Sequence, residues 1–310
     1  MSGQGGLGEA LFVDRGSFDP QPPRDGFVAM QRTVVRMLFD PAFVDAVYDS
    51  AGEALKGLDL APELVAQLLG QDRRLWNADR LRRARALKIL YEEFKTSCTL
   101  TLAERRKLAL LDGFFSSPRF HEAVHFRGYM ALAFASHLED VGPGSPHFRA
   151  ALALESAMAR SRRLFRDARR GLDHAARRSG PGMWTSMPGV VVVALPQGTM
   201  ALVQHVEQYL FRLEQVPGLA LCDDAPRPEP LPPLSEQADV WLLEPRAGGK
   251  VDVSEISAAF GAIIQTCEAG ADLAALRRAL EPLDAAQHAE DYVAQLVEAE
   301  VLSTSTGARR

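Results

Sequence analysis

The stretch Val240-Trp241-Leu242-Leu243-Glu244, then Pro245-Arg246-Ala247-Gly248-Gly249, then Lys250-Val251-Asp252-Val253, decides the fold. Its first part is rich in β-branched and aromatic residues, its middle supplies proline and glycine for a turn, and its last part returns the chain. A β-hairpin is the reading. Ser254 is expected to open a helix, along which Ile256, Phe260, Ile263, Ile264 and Cys267 fall on one apolar stripe at i, i+4, i+7, i+8 and i+11. Gly270 stops that helix, and Asp272 caps a second one with Leu273, Leu276 and Leu280 facing inward. Asp284 and Gln287 have the spacing of a capping box for a third helix, which buries Tyr292, Val293, Leu296 and Val297. Two strands and three short helices make a winged-helix unit over residues 238–303.

Outward from this unit, residues 223–237 form a linker; five prolines between Pro226 and Pro233 fit neither a helix nor a ladder. Residues 181–222 read as a short βα segment: a strand Val190–Leu195, a Pro196-Gln197-Gly198 break, and an amphipathic helix from Thr199 to about Glu214. Residues 27–180 are almost wholly helical in pattern, with Phe39-Asp40-Pro41, Leu58-Asp59-Leu60 and Ser116-Ser117-Pro118 as punctuation. Residues 1–26 and 304–310 are expected to be flexible tails. The fold class is therefore α+β, mainly α: an N-terminal helical domain, a short βα segment and a C-terminal winged-helix domain.

Composition narrows the functional classes. At 310 residues, 47% hydrophobic and 24% charged, the chain has room for two or three domains. A net charge of −5 names no partner. Cys98, Cys222 and Cys267 lie far apart without CxxC spacing, which points to a reducing, cytoplasmic setting rather than a disulfide frame or zinc site. The longest apolar run, Val190–Leu195, is too short to span a membrane. From Asp223 to Glu300 there are 16 acidic and 5 basic residues, and the candidate recognition helices offer only Arg277 and Arg278. A phosphate-tracking surface needs a clustered basic footprint, so nucleic acid is not expected as a partner.

The residues Val240–Leu243, Pro245, Gly249–Val253, Ile256, Ile263–Glu268, Gly270, Leu276–Leu280 and Tyr292–Leu302 resemble the PqqD-like peptide-recognition domain of pathways that modify ribosomally made peptides (RiPPs). A second series lies in the helical region. Phe39–Tyr48, Ala54–Leu60, Asp72–Arg85, Phe114-Phe115, Phe120-His121 and Ala133–Leu138 resemble the helical partner proteins of multinuclear non-haem iron oxidative enzymes, the group that includes the methanobactin maturation partner. Residues 139–233 carry no family pattern. Together the two resemblances imply a non-catalytic subunit in natural-product biosynthesis. It would form a heterodimer with the iron enzyme, which would hold the iron, and present a precursor peptide by its leader.

The leader is expected to add as a strand along Lys250, Val251, Asp252 and Val253, with apolar side chains entering a groove lined by Phe260, Ile264, Tyr292 and Leu296. Of the Val251 and Val253 amides, one is expected to face the leader and the other the sheet. Trp76, Arg80 and Arg83 are candidate interface residues, since buried Trp and Arg often anchor protein contacts. The alternative for that region is an internal network in which Asp72 and Asp79 pair with Arg83 or Arg85. From Arg73 to Lys107 the balance is 11 basic to 4 acidic residues, which suits an acidic partner. The Arg-rich helix at 160–178 lacks interleaved aromatics and reads as a solvated face. His121-Glu122-Ala123-Val124-His125 fits the HExxH pattern, in which two imidazoles one turn apart grip zinc and the glutamate acts as base. Its charged flanks, Arg119 and Arg127, and the lack of a third ligand motif speak against it. No Asp or Glu stands out as a carboxyl in an apolar setting. A zinc-dependent hydrolase and a winged-helix transcriptional regulator are the competing classes.

Overall fold

Proline and serine set where several helices begin. Pro41, Pro62, Pro118 and Pro146 each occupy the first turn of a helix, where the missing N–H has no intrahelical acceptor to lose. Ser117 and Ser145 precede two of them and accept hydrogen bonds at 3.3 Å from the amides of Phe120 and Phe148. The computed structural model of the chain describes residues 25–126, 128–172, 180, 182–213, 223, 227–228 and 230–304. The tails at 1–24 and 305–310, Arg127, Cys222, Glu214, residues 173–178 of the Arg-rich stretch and part of the proline-rich linker lie outside the described residues. What is described is mainly helical with two small antiparallel sheets, an α+β arrangement weighted to α. None of its helices is long and apolar enough to cross a membrane.

The chain divides into two compact units, one up to Asn77 and one from Ala78 onward, rather than at the expected end of a single helical domain near residue 180. The first unit holds α1 (Asp25–Phe39), α2 (Pro41–Asp49), α3 (Ala51–Ala54), α4 (Pro62–Leu69) and α5 (Arg73–Trp76). Met37, Phe43, Val44, Val47, Leu55, Leu68 and Trp76 form its core. Tyr48 ties it together: its hydroxyl donates toward the carbonyls of Gln71 (2.7 Å) and Leu68 (3.1 Å) and accepts from Trp76 Nε1 at 2.9 Å.

The second unit begins with α6 (Arg82–Glu93), α7 (Lys95–Arg105), α8 (Ala109–Asp112), α9 (Pro118–His125), α10 (Met130–Val141) and the 24-residue α11 (Pro146–Arg169). Phe94, Phe114, Phe120 and Phe134 meet there edge to face with ring centroids 5.2–5.7 Å apart. Then follow β1 (Trp184–Ser186), β2 (Val191–Pro196), α12 (Thr199–Leu213), β3 (Ala238–Pro245), β4 (Val251–Ile256), α13 (Ala258–Thr266), α14 (Leu273–Leu280), α15 (Ala289–Glu298) and β5 (Leu302–Thr304). β1 pairs with β5, and β2-β3-β4 form a three-stranded antiparallel sheet.

The register of that sheet sorts its side chains cleanly. Leu243 lies opposite Val191 and Val253, and all three pack with Leu154 and Ala157 of α11. Leu242, opposite Val192, packs with Ile263 and Ile264 of α13 on the other face. The sheet is thus enclosed between α11 and α13, in the alternating manner a pleat dictates. A Cβ on Gly261 would stand 2.8 Å from Val240 Cγ1, so α13 approaches the sheet as closely as only glycine allows.

Three expectations change. β4 runs on through Ser254 to Ile256, and it is Ser257 that caps α13, accepting from Phe260 N at 3.3 Å. Asp284 is no N-cap: it adopts φ 51° at the end of one 3-10 turn, and α15 starts only at Ala289 after a second. The strand at 191–196 is also no separate segment. It hydrogen-bonds to β3, and Val190 belongs to the same core as Leu242, so the linker joins two parts of one sheet.

Gly189 shows how tightly β2 is entered. Its φ is +86°, its carbonyl accepts the Ser161 hydroxyl at 2.6 Å, and a Cβ there would meet Pro245, Phe165 and the Ser161 carbonyl at 2.7–2.9 Å. Gly189→Ala combines left-handed strain with a clash, so we expect a loss of roughly 2–3 kcal/mol. A thermal melt should show a midpoint drop of about 5 °C or more; an unchanged midpoint would show that the turn relaxes freely.

Candidate functional site

Among the described residues β4 has one hydrogen-bonded neighbour, β3, and forms an edge of its sheet. The opposite edge, β2, is an unbroken apolar run whose Val191 and Leu195 are buried, whereas β4 exposes Asp252, Ser254 and Glu255. β4 is therefore the more accessible edge.

The hairpin fixes which backbone groups that edge presents. Opposed residues of an antiparallel pair alternate between hydrogen-bonded and non-bonded. Arg246 N–H donates to Lys250 O at 2.8 Å, one step beyond the Pro245–Val251 pair. Counting inward, Asp252, Ser254 and Ile256 turn their N–H and C=O groups to β3, while Val251, Val253 and Glu255 turn theirs outward. Pro245 fits this count, since it stands in a non-bonded pair where no N–H is required. The expectation that Val251 and Val253 face opposite ways is thereby corrected: residues two apart in a strand share a direction.

The side chains expected to line a groove separate into two kinds. Ile264 is fully buried and Leu296 is 6% exposed, so both belong to the core with Ile263, Leu276 and Val293. Phe260 and Tyr292 are half-buried on its rim, their rings 5.2 Å apart and inclined at 60°. His288 adds a third ring 5.8 Å from Tyr292. On the strand, Val251 and Val253 face α11, Lys250 is exposed, and Asp252 is held by Arg246 at 2.6 Å.

The interface candidates fall in different units. Trp76 is core of the first, hydrogen-bonded to Tyr48. In the second, Arg83 forks onto Asp112 at 2.6 and 3.0 Å, also reaches the Asp112 carbonyl, and lies over the Phe115 ring. Asp79 pairs with Arg85 and Arg82, which places its carboxyl below the usual range chiefly through the hydrogen bond from Arg85. Asp72 caps α5 by accepting from Arg74 N. The internal network thus takes Arg83 and Asp79, with Asp112 as the acceptor that spacing did not suggest. Arg80 remains exposed.

His121 and His125 sit on α9, which ends at His125. His125 stands edge-on to Phe126 at 4.6 Å, His121 lies beside Phe120, and Glu122 is exposed. Among the described residues no three His, Cys, Asp or Glu side chains are grouped to hold a metal. Cys98 and Cys267 are buried and burial raises both thiols, Cys267 to about 12, which leaves them unreactive. On α14, Arg277 is engaged by Glu290 at 2.8 Å.

One tuned carboxyl escaped the sequence reading. Glu155, on α11, is buried and accepts from Thr96 N, Ser97 N and Ser97 Oγ at 2.6–3.0 Å. Burial pushes its pKa up to about 7, against the opposing pull of those hydrogen bonds. It caps the start of α7, a structural contact between α11 and α7. Set against known proteins, the chain matches no family model, no curated protein and no solved structure.

Proposed function

We propose that this chain is a non-catalytic subunit that binds the leader of a ribosomally made precursor peptide and presents it to a partner multinuclear non-haem iron oxidative enzyme. The observation that carries this reading is the β4 edge, with the outward N–H and C=O groups of Val251, Val253 and Glu255; the Phe260–Tyr292 rim borders the core on the other face of the same sheet, which β4 reaches through Ile256. Strand addition gains its affinity from such backbone groups and its selectivity from neighbouring side-chain pockets. The order of a three-stranded antiparallel sheet followed by three short helices supports a PqqD-like, winged-helix assignment for the terminal part. Docking on the enzyme would use α6 and its N-cap Leu81; Leu81 and Ile89 are 64% and 66% exposed and share a face with Arg85 at i, i+4 and i+8. Iron chemistry would belong to the partner, and this chain's part is to bind and orient the peptide.

Co-expression with a multinuclear non-haem iron oxidative enzyme from the same source, followed by size-exclusion chromatography at micromolar concentration, tests the first half. We expect a one-to-one complex that Leu81→Glu with Ile89→Glu disperses. Anisotropy of a labelled precursor leader tests the second half, with a scrambled leader as control. Separate elution of the iron-loaded enzyme and this chain, together with equal affinity for both peptides, would sink the proposal.

A further inference from the structure

The hairpin turn and the last two turns of α11 flank an open surface cavity of about 470 Å³ whose charged lining is entirely cationic: Arg162, Arg166, Arg169, Arg170, Arg246 and Lys250. That volume falls within the range of small-molecule sites. Gly248 and Gly249, at φ +82° and +83°, bend the turn so that Arg246 and Lys250 stand across from each other, and Arg162 Nε donates to the Gly249 carbonyl at 2.9 Å. The nearby carboxylates are already committed. Glu93 is 3.8 Å from Arg162, Asp167 pairs with Arg163, and Glu244 and Asp252 pair with Arg246. Arg166, Arg169, Arg170 and Lys250 have no carboxylate partner among the described residues. Cations suit the last turn of a helix, whose carbonyl end is partly negative. That preference does not explain why a hairpin turn should bring two more cations to the same place.

We propose that this cavity takes acidic side chains of the bound peptide, next to the segment that pairs with β4. The inference rests on reading β4 as the peptide edge, because Lys250 lines the cavity and Val251 begins the strand. Guanidinium forks match carboxylates in a planar, two-bonded geometry. Along the edge the charge then reverses, from the cationic cavity, past Asp252 in its pair with Arg246, to exposed Glu255. A peptide is therefore aligned in one direction: its acidic run lies at the Lys250 end and a neutral or basic run lies past Val253.

Fluorescein-labelled hexaglutamate and hexaglutamine are the probes, with the whole chain as receptor. Hexaglutamate should bind, hexaglutamine should not, and raising salt from 50 to 500 mM should weaken binding several-fold. The triple variant Arg166→Ala/Arg169→Ala/Arg170→Ala should bind hexaglutamate at least tenfold more weakly. Arg166→Lys/Arg169→Lys/Arg170→Lys, which keeps the charge, should retain most of the affinity and serve as the control for folding. Hexaglutamate binding is read without the leader, so a failure of the strand reading cannot imitate a failure here, and Arg278→Ala, which removes an exposed cation outside the cavity, should leave it unchanged. Equal binding of both peptides, or equal binding by the wild type and the alanine variant, would overturn the proposal. So would displacement of hexaglutamate by equimolar inorganic phosphate, which would assign the cavity to a phosphate group instead.

Discussion

Glu155→Ala is expected to lower stability by about 3 kcal/mol or more, the largest effect of any single side-chain truncation considered. The substitution strands two buried amides and a hydroxyl, those of Thr96 and Ser97, each costing roughly 1–3 kcal/mol without an acceptor. Because these amides begin α7, the loss falls on the helix that packs along α11. The same group predicts a pH dependence. Its folded pKa, about 7, lies above the ordinary 4.5, so the folded state holds more protons than the unfolded state between those values. Its contribution is fully present below about pH 4.5, is lost as pH rises through 7, and is flat beyond. The change is on the order of 3 kcal/mol. Denaturant unfolding at pH 5 and 7.5 checks it. In Glu155→Gln, which cannot ionise, the difference between the two pH values should shrink, whatever the substitution does to stability itself. Equal pH slopes in the two proteins would show that Glu155 is ionised throughout.

The second large effect separates two neighbouring residues of β4. Val251→Pro/Val253→Pro removes two outward N–H groups that β3 does not use, so the fold should survive, as edge prolines generally allow. Leader affinity should fall roughly thirtyfold, at about 1 kcal/mol for each lost hydrogen bond. Ser254→Pro should do the reverse. Its N–H points into the ladder toward Leu242, and its loss should lower the melting temperature before binding is affected. Anisotropy and thermal melts on both variants give the answer. Intact leader binding in the folded double-proline chain would remove β4 from the recognition site.

Much of the terminal architecture was legible because local rules governed it. The hairpin obeyed its alternation and turn residues, and the Asp272 cap formed as expected, accepting from Ala275 N at 2.8 Å. Local rules misled where two residues could serve equally. Ser254 and Ser257 are both good caps, and the alternation of Val251, Val253 and the exposed residues between them carried the strand past the first. Asp284 and Gln287 had capping-box spacing, yet the Gln287 amide donates to the Asp284 carbonyl and the helix waits until Ala289. The pairing of β2 with β3 spans a helix and a linker, and no local period encodes such a contact. Glu155 was the one signal overlooked. Phe148, Ala151, Leu152 and Ala159 mark the buried stripe of α11, and Glu155 stands on that stripe.

The acidic residues along β4 have a further consequence for how copies of this chain behave toward one another. A bare sheet edge invites a second molecule to pair with it and continue the sheet indefinitely. Two copies meeting along β4 would bring the exposed Glu255 of each, and the Asp252–Arg246 pairs, onto one short ladder, where like charges at strand spacing are unfavourable. A guest strand without such charges meets no comparable repulsion. The edge can thus stay open without drawing the protein into fibres.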